Sequence, residues 1–322
     1  MAMTSWTGPM LGALTVLCWS GYNVAAKQGI DAGMSPDALA FLRFAVPGVF
    51  VLPALVLLHV SGRASGVPLA RLAVLILLGG PLFGLIAVSG YAHAPLSHGL
   101  LFAPVAVFVT GAVLGRVLLG QAIGMGRLAG AAVMFAGLAL LIGLDLRGLA
   151  PGWQTGAAFF VTAGCLWGGY TVLLRLWRIP MIEGTLSVAG GSALVAVPLL
   201  GASAVESLGD MEPAALVLQI VMQGLVGGVL SVVALIGAVR MLPVQVAALL
   251  PVFTPVVALA IACVLFGAVP SVAECVGVLI IAVGFALSLG GARSLPNEHR
   301  ATGVMQRRVP HSGTRAQRGI SQ

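Results

Sequence analysis

Charge is what this 322-residue chain has least of: 8% of its residues are Asp, Glu, Lys or Arg, against 59% hydrophobic ones. A soluble domain keeps roughly a quarter of its residues charged, so a water-facing surface is excluded. Disorder is excluded as well, because it requires low hydrophobicity. The solvent of such a chain is lipid. The four cysteines (Cys18, Cys165, Cys263, Cys275) lie in or beside apolar stretches with no CxxC spacing. That leaves no patterned disulfide or zinc site, and they read as packing residues. No GxSxG, HExxH or clustered His/Asp/Glu occurs, so neither an enzyme nor a metal or other cofactor is expected. No Asp or Glu falls in mid-span, Glu183 and Glu274 standing at span ends. Ion-coupled carriers usually hold a carboxylate within the membrane, which makes uncoupled, facilitative transport the expectation. Met1 to Gly8 carries no Lys or Arg, so the first apolar run is expected to be a retained span and not a cleaved signal.

The formal net charge of +7 is concentrated at one end. Arg293, Arg300, Arg307, Arg308, Arg315 and Arg318 lie in the polar stretch 292–322, with no aromatic residues among them. A disordered cytoplasmic tail, with no nucleic-acid partner, is the expectation.

Apolar stretches run at 8–27, 37–59, 69–91, 97–115, 124–144, 152–174, 181–201, 213–239, 245–267 and 270–290. Each approaches the ~20 residues that cross ~30 Å of hydrocarbon. Glycine (44) and proline (18) recur inside them, as in membrane bundles, where glycine allows close helix approach. With the N-terminus inside, Arg63, Arg71, Arg116, Arg127, Arg175, Arg178 and Arg240 fall on the inner side. Asp31, Asp37, Asp145, Glu206, Asp210, Glu212 and Glu274 fall outside, joined only by the basic Lys27 and Arg147. That split predicts ten spans with both termini cytoplasmic; a bacterial inner membrane is the expected location.

The chain also repeats itself. Trp19-Ser20-Gly21-Tyr22-Asn23-Val24 aligns with Trp167-Gly168-Gly169-Tyr170-Thr171-Val172, and the same offset of 148 residues maps Gly79-Gly80 onto Gly227-Gly228 and Pro95 onto Pro243. One residue less maps Gly130 and Gly137 onto Gly277 and Gly284. Repeats over 8–145 and 151–291 with five spans each must enter the membrane from opposite sides. The predicted fold is therefore all-α and polytopic, with ten transmembrane helices in two inverted five-helix repeats.

Over residues 8–290 these features resemble the EamA branch of the drug/metabolite transporter superfamily: the paired Trp-x-Gly-Tyr starts, Arg43 in Phe41-Leu42-Arg43-Phe44, and prolines in the fourth and ninth spans. Within the branch the chain looks most like bacterial exporters of aromatic and other neutral amino acids. One departure is the glutamate that often follows Leu-Gly at the ends of those two spans. Here the positions read Gly120-Gln121 and Gly267-Ala268, so no role of that carboxylate carries over. The resemblance implies alternating access and a small-molecule partner, an amino acid.

Trp19 and Trp167 each stand eight residues, about 12 Å of helix, from a charge at a span end, which puts both near the midplane. Tyr22 and Tyr170 follow on the same faces. Either these rings line a wet central cavity or they pack two helices together. Asn23, Leu101, Gln223 and Phe253 complete the candidate substrate contacts, Gln223 being equally suited to a helix–helix hydrogen bond. Tyr91, His93, Pro95, Pro104, Pro243 and Pro251 are candidate gate or hinge residues in Gly/Pro-interrupted spans. His93 and His98 are expected in a solvated outer turn. Arg43, about 10 Å inside the second span, is expected to bond carbonyls freed at a proline-broken neighbour, or else a substrate carboxylate. A scaffold gains nothing from an inverted repeat. Among other cargoes, nucleotide sugars would want several cavity cations and cationic drugs a buried carboxylate. The expected protein works as a monomer in the lipid bilayer.

Overall fold

The computed structural model describes residues 6–62, 66–120, 124–142, 151–242, 244–247, 250–266 and 271–292. Pro243, Gln121, Ala268, the 143–150 connection with Asp145 and Arg147, and the basic stretch from residue 293 lie outside the described residues. The described residues are helical and contain no strand.

Helix α1 (Thr7–Asp31) ends on an i,i+4 ion pair from Lys27 to Asp31. Helix α2 (Pro36–Val60) begins on proline, with Asp37 in the first turn, where a missing N–H is harmless and a negative charge complements the helix dipole. The third apolar stretch breaks into α3 (Leu69–Gly79) and α4 (Pro81–His93). The break is at Gly80, whose φ of −100° and ψ of −146° leave the helical region. A β-carbon there would stand 2.6 Å from Ser192 Oγ. Helix α5 (Leu96–Leu119) starts behind Pro95 and stops at the left-handed Gly120, φ 64°, as helix C-termini commonly do. It is followed by α6 (Met125–Ile142), α7 (Trp153–Leu176) and α8 (Met181–Gly209).

Helix α9 (Pro213–Gln219) is capped by Glu212, whose carboxylate accepts from Ala215 N–H at 3.0 Å. It runs without interruption into an 11-residue π-helical segment, Ile220–Leu230, and then α10 (Ser231–Met241). Pi-helical runs are normally a single turn and mark functional sites. The ninth apolar stretch is a chain of short pieces: α11 (Val244–Ala247), a 3-10 turn (Leu250–Phe253) and α12 (Thr254–Phe266); α13 (Val272–Ala292) closes the described fold.

Among the described residues six helical stretches are long and apolar enough to cross a membrane: Pro36–Leu58, Leu69–His93, Leu96–Leu119, Trp153–Leu176, Ile182–Gly209 and Pro213–Met241. Leu128–Leu140, Leu250–Leu265 and Cys275–Leu287 are apolar but shorter. Helix α1 has the length, at 25 residues, but carries Thr15, Ser20, Asn23, Lys27 and Gln28, which dilute its apolar character.

Helix α6 packs along α13, α2 along α8, α7 along α4 and α5, and α1 along α10 and α12. Small residues make these approaches possible. A β-carbon on Gly164 of α7 would stand 2.5 Å from the Ala103 carbonyl of α5. Ser20 Oγ, fully buried, donates to its own helix at Val16 O (2.9 Å) or across to Thr254 O (2.8 Å), where α12 begins. The helix directions gather Arg71, Arg116, Arg175, Arg178 and Arg240 at the end of the bundle where α1 starts. Asp31, Asp37, Glu206, Asp210 and Glu212 gather at the other end.

The buried apolar residues differ between those ends. At the acidic end one cluster, including Met34, Leu39, Tyr91, Phe160 and Leu200, joins α2, α4, α7 and α8 to the last turns of α1. At the arginine end there are two separate clusters: Val16, Ala238 and Leu250 hold α1 to α10, while Leu75, Tyr170 and Val188 hold α3, α7 and α8 together.

Candidate functional site

A cavity lies in the middle of the bundle, with about 180 Å³ open to the centre of a water-sized sphere. That is room for several waters or a molecule of amino-acid size. Four helices wall it, each with one stripe at helical spacing. The stripes are Trp19, Tyr22, Asn23 and Ala26 on α1, Phe83, Ala87, Val88 and Tyr91 on α4, Leu100, Ala103, Pro104 and Val107 on α5, and Phe160, Ala163, Gly164 and Trp167 on α7. Arg43 of α2, Gln223 of the π segment, Pro251 of the 3-10 turn and Thr254 of α12 reach in singly.

One part of the wall is aromatic. Trp167 lies 5.1 Å from Phe83, ring centroid to centroid, and stacks at 4.9 Å on Tyr170 behind it. Tyr91 meets Phe160 at 5.0 Å. The other part is polar. Tyr91 O–H donates to Asn23 Oδ1 at 2.9 Å, tying α4 to α1, and Asn23 Nδ2 donates to Trp19 O at 2.8 Å. The Arg43 guanidinium lies on the face of Tyr22, its carbon 3.8 Å from the ring centroid. Its Nη1 is buried and unpartnered, and packs against Gly227, where a β-carbon would collide with it. Gln223 Nε2 donates to Tyr22 O (3.0 Å) and Gln219 Oε1 (3.2 Å), and Gln219 Nε2 donates to Ala25 O (2.7 Å).

Of the substrate candidates read from the sequence, Trp19, Tyr22, Asn23, Trp167 and Gln223 come together on this cavity. Three do not. Tyr170 is turned into the apolar cluster with Leu75 and Val188. Leu101 faces α6 and α13, with Met134 and Ile281, one position round from the Leu100 that lines the wall. Phe253 packs edge-on against Phe285 at 5.0 Å. Among the gate candidates Tyr91, Pro104 and Pro251 line the cavity. His93 is exposed at the end of α4, stacked on Phe159, and Pro95 is the exposed residue before α5. His98 is not solvated as expected: it is 4% exposed, wedged against Phe102 and Trp153. Arg43 does not bond freed carbonyls either; its partner is an aromatic face.

Sequence reasoning missed Phe83 and Phe160. The signal was there in the periodicity, since Phe83 precedes Tyr91 by eight residues and Phe160 precedes Trp167 by seven, two helical turns each.

Residues 6–143 match the EamA-like transporter family. No curated protein matches the sequence. Solved structures share the fold: one, described only as "Crystal structure of protein", is 20% identical over 91% of this chain and 99% of its own, with a TM-score of 0.68. That identity speaks for the fold alone. The chain is thus a multi-pass membrane protein whose residues 6–143 are similar to the EamA-like transporter family.

Proposed function

We propose that the protein is a ten-helix, inverted-repeat carrier that exports neutral or aromatic amino acids by alternating access, uncoupled from ion gradients. The observation that carries this reading is the central cavity, aromatic on one side and polar on the other, into which the sequence-equivalent Trp19 and Trp167 both reach. A mixed wall with a single cation suits a zwitterion with an apolar side chain better than a polyanion or a cation.

The packing supports the two-fold relation. Under the repeat, α1 corresponds to α7, α3–α4 to the π segment and α10, and α5 to α12. The contact of α7 with α5 then has its counterpart in α1 with α12, and that of α7 with α4 in α1 with α10. The paired elements α6–α13 and α2–α8 meet each other. Alternating access is supported by the large cluster that packs the acidic end, set against much smaller clusters at the arginine end. Positive residues favour the cytoplasmic side, so this is the arrangement of a carrier closed outward. Residues 8–145 and 151–291 are the two repeats in this reading, and 292–322 a cytoplasmic tail. The protein needs no cofactor, performs no covalent chemistry, and works as a monomer in a bacterial inner membrane.

The test is counterflow with the purified full chain in liposomes, preloaded with one unlabelled amino acid and supplied with a labelled trace of it. Accumulation for phenylalanine, tryptophan or leucine is expected. Failure with every amino acid, alongside accumulation of a nucleobase, a nucleotide sugar or a drug, would replace the cargo while keeping the carrier.

A further inference from the structure

Two unsatisfied polar atoms lie along one face of the π segment, and they are of opposite kind. Arg43 Nη1, a donor, is buried without a partner beside Gly227. Gln223 Oε1, an acceptor, is buried without a partner four residues earlier. Buried polar groups in folded proteins are nearly always paired, and a guanidinium within a membrane normally meets an anion or carbonyls. Here no such partner is found for Arg43 Nη1: its contact is the Tyr22 ring at 3.8 Å.

The orientation of Gln223 is fixed by a relay. Ala25 O takes the Nε2 of Gln219, which leaves Gln219 Oε1 to accept from Gln223 Nε2. Gln223 Nε2 also donates to Tyr22 O. Exchanging the amide atoms of Gln223 would set its oxygen against two acceptors. Its Oε1 must therefore be the free atom. Both side chains line the cavity, and both are braced by Tyr22, one on its ring and one on its carbonyl.

Resting on the amino-acid reading above, we propose that Arg43 and Gln223 form the pole of the cavity that holds the charged end of the substrate. The guanidinium takes the α-carboxylate and Gln223 Oε1 takes the α-ammonium. The side chain then extends to the aromatic wall of Trp19, Phe83 and Trp167. Guanidinium is suited to a carboxylate because its N–H groups match the two oxygens in one plane. The amide oxygen is suited to an ammonium because it accepts without adding a negative charge that would pair with Arg43 instead. Gly227 is a positioning residue in this arrangement, since only a missing side chain leaves space for Nη1 beside Tyr22.

The experiment measures inhibition of labelled phenylalanine uptake in liposomes by three unlabelled probes: phenylalanine, phenylalaninamide (no carboxylate) and 3-phenylpropionate (no ammonium). In the unsubstituted protein each truncated probe should inhibit at least about tenfold more weakly than phenylalanine, as loss of a charge-assisted hydrogen bond implies. Arg43→Met should weaken phenylalanine about tenfold and leave phenylalaninamide unchanged or tighter. Gln223→Leu should weaken phenylalanine and leave 3-phenylpropionate within about twofold. Gly227→Ala, which does not touch the guanidinium's chemistry, should shrink the phenylalanine-to-phenylalaninamide ratio by displacing it. Should Arg43→Met fail to fold, Arg43→Lys should keep part of that ratio, and the probe ratios of the unsubstituted protein stand by themselves. Uptake of phenylalanine with equal inhibition by phenylalaninamide, or with ratios unmoved by Arg43→Met, overturns this inference and spares the amino-acid reading. That outcome would leave the two atoms bridged by water. Absence of any phenylalanine uptake, with another metabolite carried instead, overturns both.

Discussion

Gly137 of α6 lies on the carbonyl of Gly277 of α13: a β-carbon at residue 137 would stand 2.8 Å from that oxygen. The relation is reciprocated, because a β-carbon on Gly284 of α13 would stand 2.7 Å from the Gly130 carbonyl of α6. These are the four glycines that the sequence repeat pairs with one another. Gly284→Leu should therefore destabilise the protein by about 1–3 kcal/mol, the usual cost of overpacking. Gly111→Leu, where a β-carbon meets nothing within 4 Å, should be tolerated. Melting temperatures of the two variants in the same detergent decide this, and equal stability would mean that α6 and α13 can part freely.

Trp19 and Trp167 face the cavity, and each supplies aromatic area and an indole N–H. Trp19→Ala and Trp167→Ala should weaken aromatic substrates by on the order of 1–3 kcal/mol and alanine much less. Trp167 also stacks on Tyr170, so its removal should cost some stability in addition. Transport per folded molecule and melting temperature, taken on the same samples, separate the two roles. Normal transport with a lowered melting point would make both indoles packing residues.

Phe160 is 2% exposed and seals the acidic end against Tyr91. A β-carbon on Gly90 would approach its ring to 2.5 Å, and one on Gly99 to 2.8 Å. Phe160→Ala should loosen this closure. In a background with the four native cysteines replaced, a cysteine at Ala26 should then react faster with an impermeant thiol reagent added from outside. No change in rate would place the seal elsewhere.

Orientation can be read with reporter fusions. A fusion after Gly62 should report the cytoplasm and one after Gly209 the opposite side, since the arginine-bearing end is proposed to face inward. The reverse result would invert the carrier and make the closed face the cytoplasmic one.

Energetics rests on the same scarcity of carboxylates. Among the described residues Asp31, Asp37, Glu183, Glu206, Asp210 and Glu212 all stand within the first or last turns of helices or between them. Uptake into liposomes down an amino-acid gradient should proceed without a pH or sodium gradient, and imposing either should change the initial rate by less than about twofold. A strict requirement for one of them would refute facilitation.

Helix positions were largely legible because apolar runs of spanning length admit few alternatives. The interruption of the third apolar stretch at Gly80-Pro81 and of the ninth near Pro251 was legible as punctuation, though not as geometry. The π segment was not legible: Ile220–Leu230 has the composition of any buried helix, and its altered winding emerges only against α1 and α2. For the site, residue type and depth identified Trp19, Asn23, Trp167 and Gln223. They do not decide between adjacent faces, which is why Leu101 reads as a contact where Leu100 lines the wall. Arg43 resting on Tyr22 was beyond the sequence, since aromatic and carbonyl partners satisfy an arginine equally well on paper.

The stacking of Arg43 on Tyr22 also has an electrical consequence. The wall of this cavity carries a guanidinium inside the membrane-spanning part of the bundle. One elementary charge crossing a full 100 mV does about 2.3 kcal/mol of work. Any reorientation that carries Arg43 through a quarter of the field is then biased by about 0.6 kcal/mol. A zwitterionic cargo adds no net charge, so empty and loaded forms feel the same bias while the transport itself moves no current. Under the uncoupled reading proposed above, membrane voltage would shift the balance between inward- and outward-facing forms by about that amount, on top of what packing sets.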